Sequence, residues 1–280
     1  MTVSLASDRA VKPVRAGVVE LRVIAARRIS EGFVRVTVGG DRDRLRDALT
    51  PIGHDQWARL FFPAAGQRQF ELPAAGLEGW YQRLAAIPEA VRPQVRNYTI
   101  RETRDAGDEL HLDVDFVVHR SAAGLVEGEA ASWALRARPG DRVGMLDQGR
   151  IFSPPELGRP LLIVTDESGL PGVEGVVRSL EPGVSATVVV EIAHAEDRRP
   201  LTSEAALEER WHVRALGAVV GAAALRDLRR VDVSTDVSAY VVGEASFVLE
   251  ARRMLIAAGL PKAAIDFCSY WRREPAQRHR

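Results

Sequence analysis

Apolar and polar positions alternate through much of residues 18–146 with the two-residue period of β-strands. Val19, Leu21 and Val23 alternate with polar partners, and Phe33 to Val38 repeats the period until Gly39-Gly40 stops it. Trp57 to Phe62 ends at Pro63, Val95 to Arg101 forms a fourth segment, and Asp141 to Leu146 a sixth. Between these lies the clearest alternation in the chain. It sets Leu110, Leu112, Val114, Phe116 and Val118 on one face, and His111, Asp113 and Asp115 on the other. Six short strands punctuated by Gly and Pro predict an N-terminal antiparallel β-barrel.

After Ser153-Pro154-Pro155 the pattern changes. Leu161 to Val164 is wholly apolar, as in a strand buried on both faces. Further strands are predicted at Val184 to Ile192, Trp211 to Leu216, Ala239 to Val242 and Ala264 to Tyr270. Helical segments fall at Val173 to Leu180, Ala222 to Arg230 and Ser246 to Ala258, and Gly217 to Ala224 reads as a loop entering a helix. Strands alternating with helices predict a parallel α/β sheet. The boundary near Ser153 to Arg159 gives a barrel domain at 15–153 and an α/β domain at 159–273.

Composition narrows the chemistry. Lysine plus arginine equals aspartate plus glutamate at 38 each, so no global field draws nucleic acid or anionic membrane. Cys268 is the single cysteine, which excludes an internal disulfide and a cysteine-ligated iron–sulfur cluster. Six scattered histidines lack metal-ligand spacing, so no resident metal is expected. No stretch has the apolar length of a membrane span and Met1 to Ala10 lacks a leader pattern, so a cytoplasmic protein is expected. The four arginines and one histidine of Trp271 to Arg280 read as a solvated terminus.

The segment Arg96-Asn97-Tyr98-Thr99-Ile100-Arg101 sits on a predicted strand, with Arg96, Tyr98 and Ile100 on one face. A flavin needs an aromatic surface, a hydrogen-bond partner near its reactive nitrogen and a cation for its pyrophosphate. Arg, Tyr and Thr within four positions supply all three, although a strand with an ordinary tyrosine and exposed arginines explains them equally well. This segment resembles the Arg-x-Tyr-Thr-x-Arg flavin motif of the siderophore-interacting flavoproteins, or ferric-siderophore reductases. Asp115-Phe116-Val117-Val118-His119 is similar to that family's strand ending in histidine. Gly128-Glu129-Ala130-Ala131-Ser132-Trp133-Ala134 resembles its Gly-Pro-Ala-Ser-x-Trp-Ala turn, with Glu129 in place of proline. Thr165-Asp166-Glu167-Ser168-Gly169-Leu170-Pro171 resembles its Asp-Glu-Thr-Ala-Leu-Pro turn. Val242-Gly243-Glu244-Ala245-Ser246 and Tyr270-Trp271-Arg272 are similar to its later motifs.

The resemblance implies FAD in the barrel and NADPH or NADH served by the α/β domain. Arg96 would contact the FAD phosphates, Tyr98 would pack on the isoalloxazine, and Thr99 would address its reactive edge, Tyr98 and Thr99 being the catalytic pair. His119, Gly128, Ala130, Ala131, Ser132 and Trp133 would complete the flavin site, and Asp166, Ser168 and Trp271 would serve the cofactors from the second domain. For Tyr270 and Trp271, burial as plain core is a rival reading. The implied activity is reduction of Fe(III) held in a siderophore by a monomer, with ferredoxin as another possible donor. Arg272, Arg273, Arg278 and Arg280 are candidates for a cationic rim. Two alternatives remain at this point: a flavin reductase with a non-iron acceptor, and a non-catalytic flavin or siderophore carrier.

Overall fold

The computed structural model describes residues 10–273 apart from 75, 77, 122, 157 and 234, so Arg278 and Arg280 lie outside the described residues. The chain divides into two compact units between Arg150 and Ile151.

The first unit is built on β1 (Val19–Arg28), β2 (Phe33–Asp41), β3 (Trp57–Phe62), β4 (Gln94–Thr99), β5 (Glu102–Ala106), β6 (Glu109–Val117) and β9 (Arg142–Gly149). Short strands β7 (His119–Arg120) and β8 (Val126–Glu127) pair separately, and helices α1 (Arg42–Ala48), α2 (Trp80–Ala86) and α3 (Glu129–Ala134) complete it. The seven-stranded sheet is antiparallel throughout, in the order β4-β3-β9-β1-β2-β6-β5. The antiparallel architecture is the expected one, with seven strands in place of six. The pairings run in one line from β4 to β5, and closure into a barrel is not among them. The additional strand, β5, reads Glu-Thr-Arg-Asp-Ala and is largely exposed, so it carries no apolar alternation.

Inward residues of these strands form one core with Trp133 and Ala134 of α3. The polar face of β6 is not a solvent face: Asp113 and Asp115 are 5% and 4% exposed. Arg35 grips Asp115 through bonds of 2.6 and 2.9 Å, while Arg104 and the Thr37 hydroxyl hold Asp113. Burial alone would raise the Asp113 pKa, but the Arg104 and Thr37 hydrogen bonds outweigh it and keep the carboxyl below its usual range.

The second unit carries β10 (Leu161–Asp166), α4 (Leu170–Arg178), β11 (Ser185–Ile192), β12 (Ala206–Val213), α5 (Ala222–Leu228), β13 (Ser238–Glu244), α6 (Ala245–Ala257) and β14 (Ile265–Trp271). Its five strands are all parallel, ordered β12-β11-β10-β13-β14, which places the topological switch between β10 and β13. Leu162, Val164, Val189 and Val241 form one core with residues of α5 and α6. The third strand corrects the sequence expectation: β12 runs over 206–213, whereas Trp211 to Leu216 was expected. It is an edge strand, so the Glu208-Glu209-Arg210 run is tolerated inside it, while Leu216 lies fully exposed beyond it. Among the described residues no helix is long and apolar enough to cross a membrane.

Candidate functional site

Strand β4 places the candidate flavin residues. Its register sets Arg96 opposite Leu60, Tyr98 opposite Ala58 and Thr99 opposite Trp57. The Tyr98 ring lies 4.1 Å from Phe116, centroid to centroid and tilted by 39°. Phe116 in turn meets Trp133 at 5.6 Å, and Trp133 stacks on Phe62 at 5.3 Å. This row of rings joins β4, β6, α3 and β3, so Tyr98 and the α3 turn share one side of the sheet although 30 and more residues separate them. Burial raises the Tyr98 pKa, only partly offset by the Arg96 charge, so the phenol stays neutral.

Arg96 is exposed, and its guanidinium bonds to the Val95 carbonyl and Gln94 Oε1, at 2.8 and 3.4 Å. It has no carboxylate partner among the described residues, so its charge is available to an anion. Arg101 differs: it pairs with Glu102 at 3.0 Å and approaches the buried Asp115 at 3.7 Å, a structural role. Thr99 is 8% exposed.

His119 reaches the same region through the β7–β8 ladder, which sets it opposite Glu127, one residue before Gly128. Gly128 needs its φ of +88°, a conformation that side chains resist. The Ser132 amide donates to the Gly128 carbonyl at 3.2 Å, so within Gly128 to Trp133 the backbone donors left over are earlier in the turn, around Ala130 and Ala131. Trp133 is 6% exposed.

In the second unit Asp166 ends β10 at the switch point. It is completely buried, and its oxygens accept from the Ser168 amide (2.8 Å) and hydroxyl, the Glu244 amide (2.7 Å) and the Trp271 indole (3.2 Å). One carboxylate thus ties together the ends of β10, β13 and β14. Burial, followed by repulsion from Glu167, raises its pKa to about 6 against the pull of these hydrogen bonds. Gly243 leaves it room: at φ +140° an added Cβ would sit 2.7 Å from the carboxylate. Gly243→Ala is therefore expected to lower the unfolding free energy by about 1–3 kcal/mol, measured as an earlier urea midpoint; an unchanged midpoint would refute this packing.

Sequence reasoning missed three features. Glu191, at the end of β11, accepts from the Gly221 and Ala223 amides at 2.7 Å and so caps α5, and Glu244 caps α6 through the Ser246 and Phe247 amides. Arg214 holds Glu167 and lies 3.3 Å from Glu191. On the outer side of β3, Arg59 lies over Trp57 and Trp80, 5.6 and 4.6 Å from their centroids, and bonds Asn97. The capping carboxylates could be sought as Glu or Asp at strand ends before helices. The Arg214 and Arg59 partnerships leave no local sequence signal.

Residues 22–150 match the model of the siderophore-interacting FAD-binding domain, and residues 159–274 that of the siderophore-interacting protein family. Over 178 residues the chain is 34% identical to the NADPH-dependent ferric-chelate reductase of Escherichia coli K12, covering 61% of this chain and 62% of that protein. The match thus spans somewhat under two thirds of that relative's length. Among solved structures, a siderophore utilization protein from T. fusca superposes with a TM-score of 0.74 at 27% identity, covering 98% of this chain and 97% of that one. The siderophore-interacting protein SipS from Aeromonas hydrophila shares the fold, with a TM-score of 0.70 at 21% identity, covering 93% of this chain and all of that one. With both domain models matched in order along the chain, this protein belongs to the siderophore-interacting FAD-binding family.

Proposed function

We propose that this chain is a flavin-dependent reductase that moves electrons from NADPH or NADH through FAD to Fe(III) held in a siderophore, acting as a cytoplasmic monomer. One observation carries the reading: Arg96, without a counter-ion among the described residues, and Tyr98, packed on Phe116, stand two residues apart on β4, inside the stretch matched by the FAD-binding domain model. A cation beside an aromatic ring is the donor set that a phosphorylated flavin requires. Arg96 would bind phosphate, Tyr98 would lie against the ring with its phenol neutral, and the amides around Ala130 and Ala131 would add donors. When bound, FAD supplies the two-electron to one-electron conversion that links a hydride donor to ferric iron. Siderophores hold hard Fe(III) through anionic oxygens and Fe(II) far more weakly, so reduction is itself the release step. Arg272 and Arg273 are exposed at the end of the last strand and would form part of a cationic rim.

A second reading, a flavin or siderophore carrier, is favoured by one feature. In the α/β unit the turn after β10 and the starts of α5 and α6 receive the chain's own carboxylates from Asp166, Glu191 and Glu244. Those amides are where a nucleotide diphosphate would otherwise dock.

Anaerobic visible spectroscopy of the FAD-loaded protein separates the two. The reductase bleaches at 450 nm (about) on adding NADPH or NADH, and recovers its colour with a ferric siderophore as a ferrous trap reports Fe(II). A flavin that no nucleotide bleaches would leave the carrier, or ferredoxin as donor. A chain that takes up no FAD would remove both.

A further inference from the structure

The last strand does not run regularly to its end. Gly243 pairs with Ser269, but Glu244 pairs with Trp271, so Tyr270 is an extra residue on β14. A bulge of this kind bends its strand and re-aims the residues that follow. The Tyr270 hydroxyl lies 3.1 Å from that of the buried Tyr240 on β13, which braces the bulge. Beyond it come Trp271, half-buried, and then Arg272 and Arg273, both exposed.

Two buried carboxylates hold this re-aimed segment at separate points. Asp166 accepts from the Trp271 indole at 3.2 Å, and Glu244 accepts from the Arg273 amide at 3.3 Å. The two are linked, because the Glu244 amide donates to Asp166 at 2.7 Å. Each is also anchored elsewhere. Glu244 accepts from the Ser246 and Phe247 amides at 2.6 and 3.1 Å, and Asp166 from the Ser168 amide at 2.8 Å. Neither carboxylate can swing towards water without undoing the cap of α6 or the turn after β10. The indole and amide donors offset the cost of burying their charge.

The result is two successive guanidinium groups on a chain end pinned on either side of Arg272. A cationic pair held in place binds an anion with less ordering cost than the same pair on a free end. We propose that Asp166 and Glu244 are positioning residues for the electron acceptor: they clamp the bulged end of β14 so that Arg272 and Arg273 are ready for an anionic ferric chelate, which the chain then prefers over a neutral one. The proposal rests on the siderophore reading above.

Calorimetry on the whole chain, with no nucleotide present, compares a ferric tricatecholate, which is anionic, with a neutral ferric trihydroxamate. The wild type is expected to prefer the tricatecholate, and Arg272→Ala/Arg273→Ala to lower that preference about 10-fold or more. Asp166→Asn and Glu244→Gln are each expected to lower it about 3- to 10-fold. The sign is diagnostic: by charge alone, neutralising a carboxylate would strengthen the binding of an anion. Asp166→Asn added to the double alanine variant is expected to change the preference by no more than about twofold, because Asp166 acts through the arginines. Trp271→Phe, which deletes the indole N–H and leaves both carboxylates in place, is expected to show the loss should Asp166→Asn fail to fold. An unchanged or increased preference in the carboxylate variants, or a full additive loss on the double alanine background, would overturn the proposal. If the wild type binds neither chelate, the siderophore reading fails separately, and trypsin decides the clamp. Cleavage of the Arg272–Arg273 bond about fivefold faster in Trp271→Phe and Glu244→Gln than in the wild type keeps it, and equal rates remove it.

Discussion

Arg214→Ala is expected to lower the unfolding free energy at pH 8 by about 3–5 kcal/mol, the usual consequence of stripping the partner from buried charge. The guanidinium is 12% exposed, and the two carboxylates it serves, Glu167 and Glu191, are 1% and 0% exposed. Glu191 cannot turn away, because it caps α5. The effect depends on pH in a defined sense. Burial raises the Glu167 pKa in the folded state, with the Arg214 hydrogen bond and charge pulling it back down. A carboxyl with a raised folded pKa binds its proton more tightly when folded, so it favours the fold most at low pH, and that advantage fades as pH rises through the folded value. Without Arg214 the folded value climbs further. The gap between variant and wild type is therefore small near pH 5 and widest at pH 8. Urea denaturation at both pH values measures it, and a gap under about 1 kcal/mol that is equal at both would rule out this account of the edge.

Arg96→Ala is expected to reduce FAD affinity by about 10- to 100-fold, the worth of a hydrogen bond to a charged group, with stability changed by no more than about 0.5 kcal/mol. The two expectations separate because Arg96 is exposed and, among the described residues, its bonds go to its own strand neighbours. Since the role assigned to it is phosphate binding, FMN affinity falls with that of FAD while riboflavin affinity does not. Arg96→Lys restores the charge without the fork and recovers part of the loss. Fluorescence titration with the three flavins decides the point. A loss of riboflavin affinity as large as that of FMN would mean that Arg96 acts on the ring or on the fold.

The architecture was legible where a strand has one wet face or none. The alternation at the start of β1 and the unbroken apolar run of β10 each announce their surroundings, because burial dictates residue type at every second position or at all of them. It was illegible in β5 and β12, which are stabilised by pairing to a neighbour more than by burial. The short helices α1 and α2 bury one leucine each, Leu45 and Leu84, too little to set a period. The proposed flavin segment stood out as a candidate because Arg96, Tyr98 and Thr99 lie within four consecutive residues that resemble a flavin motif. The edge around Asp166 could not be. Its partners Glu244 and Trp271 lie 78 and 105 residues away, and only the meeting of three strand ends shows that an acid beside a turn is a knot in the sheet.

The charges that concealed β12 have a consequence of their own. This strand is the open margin of the five-stranded sheet, and its outer backbone groups are a template on which another extended chain could grow. Glu208, Glu209 and Arg210 stand along that margin, and any chain docking there would have to strip their hydration. The polar run that defeats a hydropathy reading thereby makes this margin a poor template for fibril-like self-association.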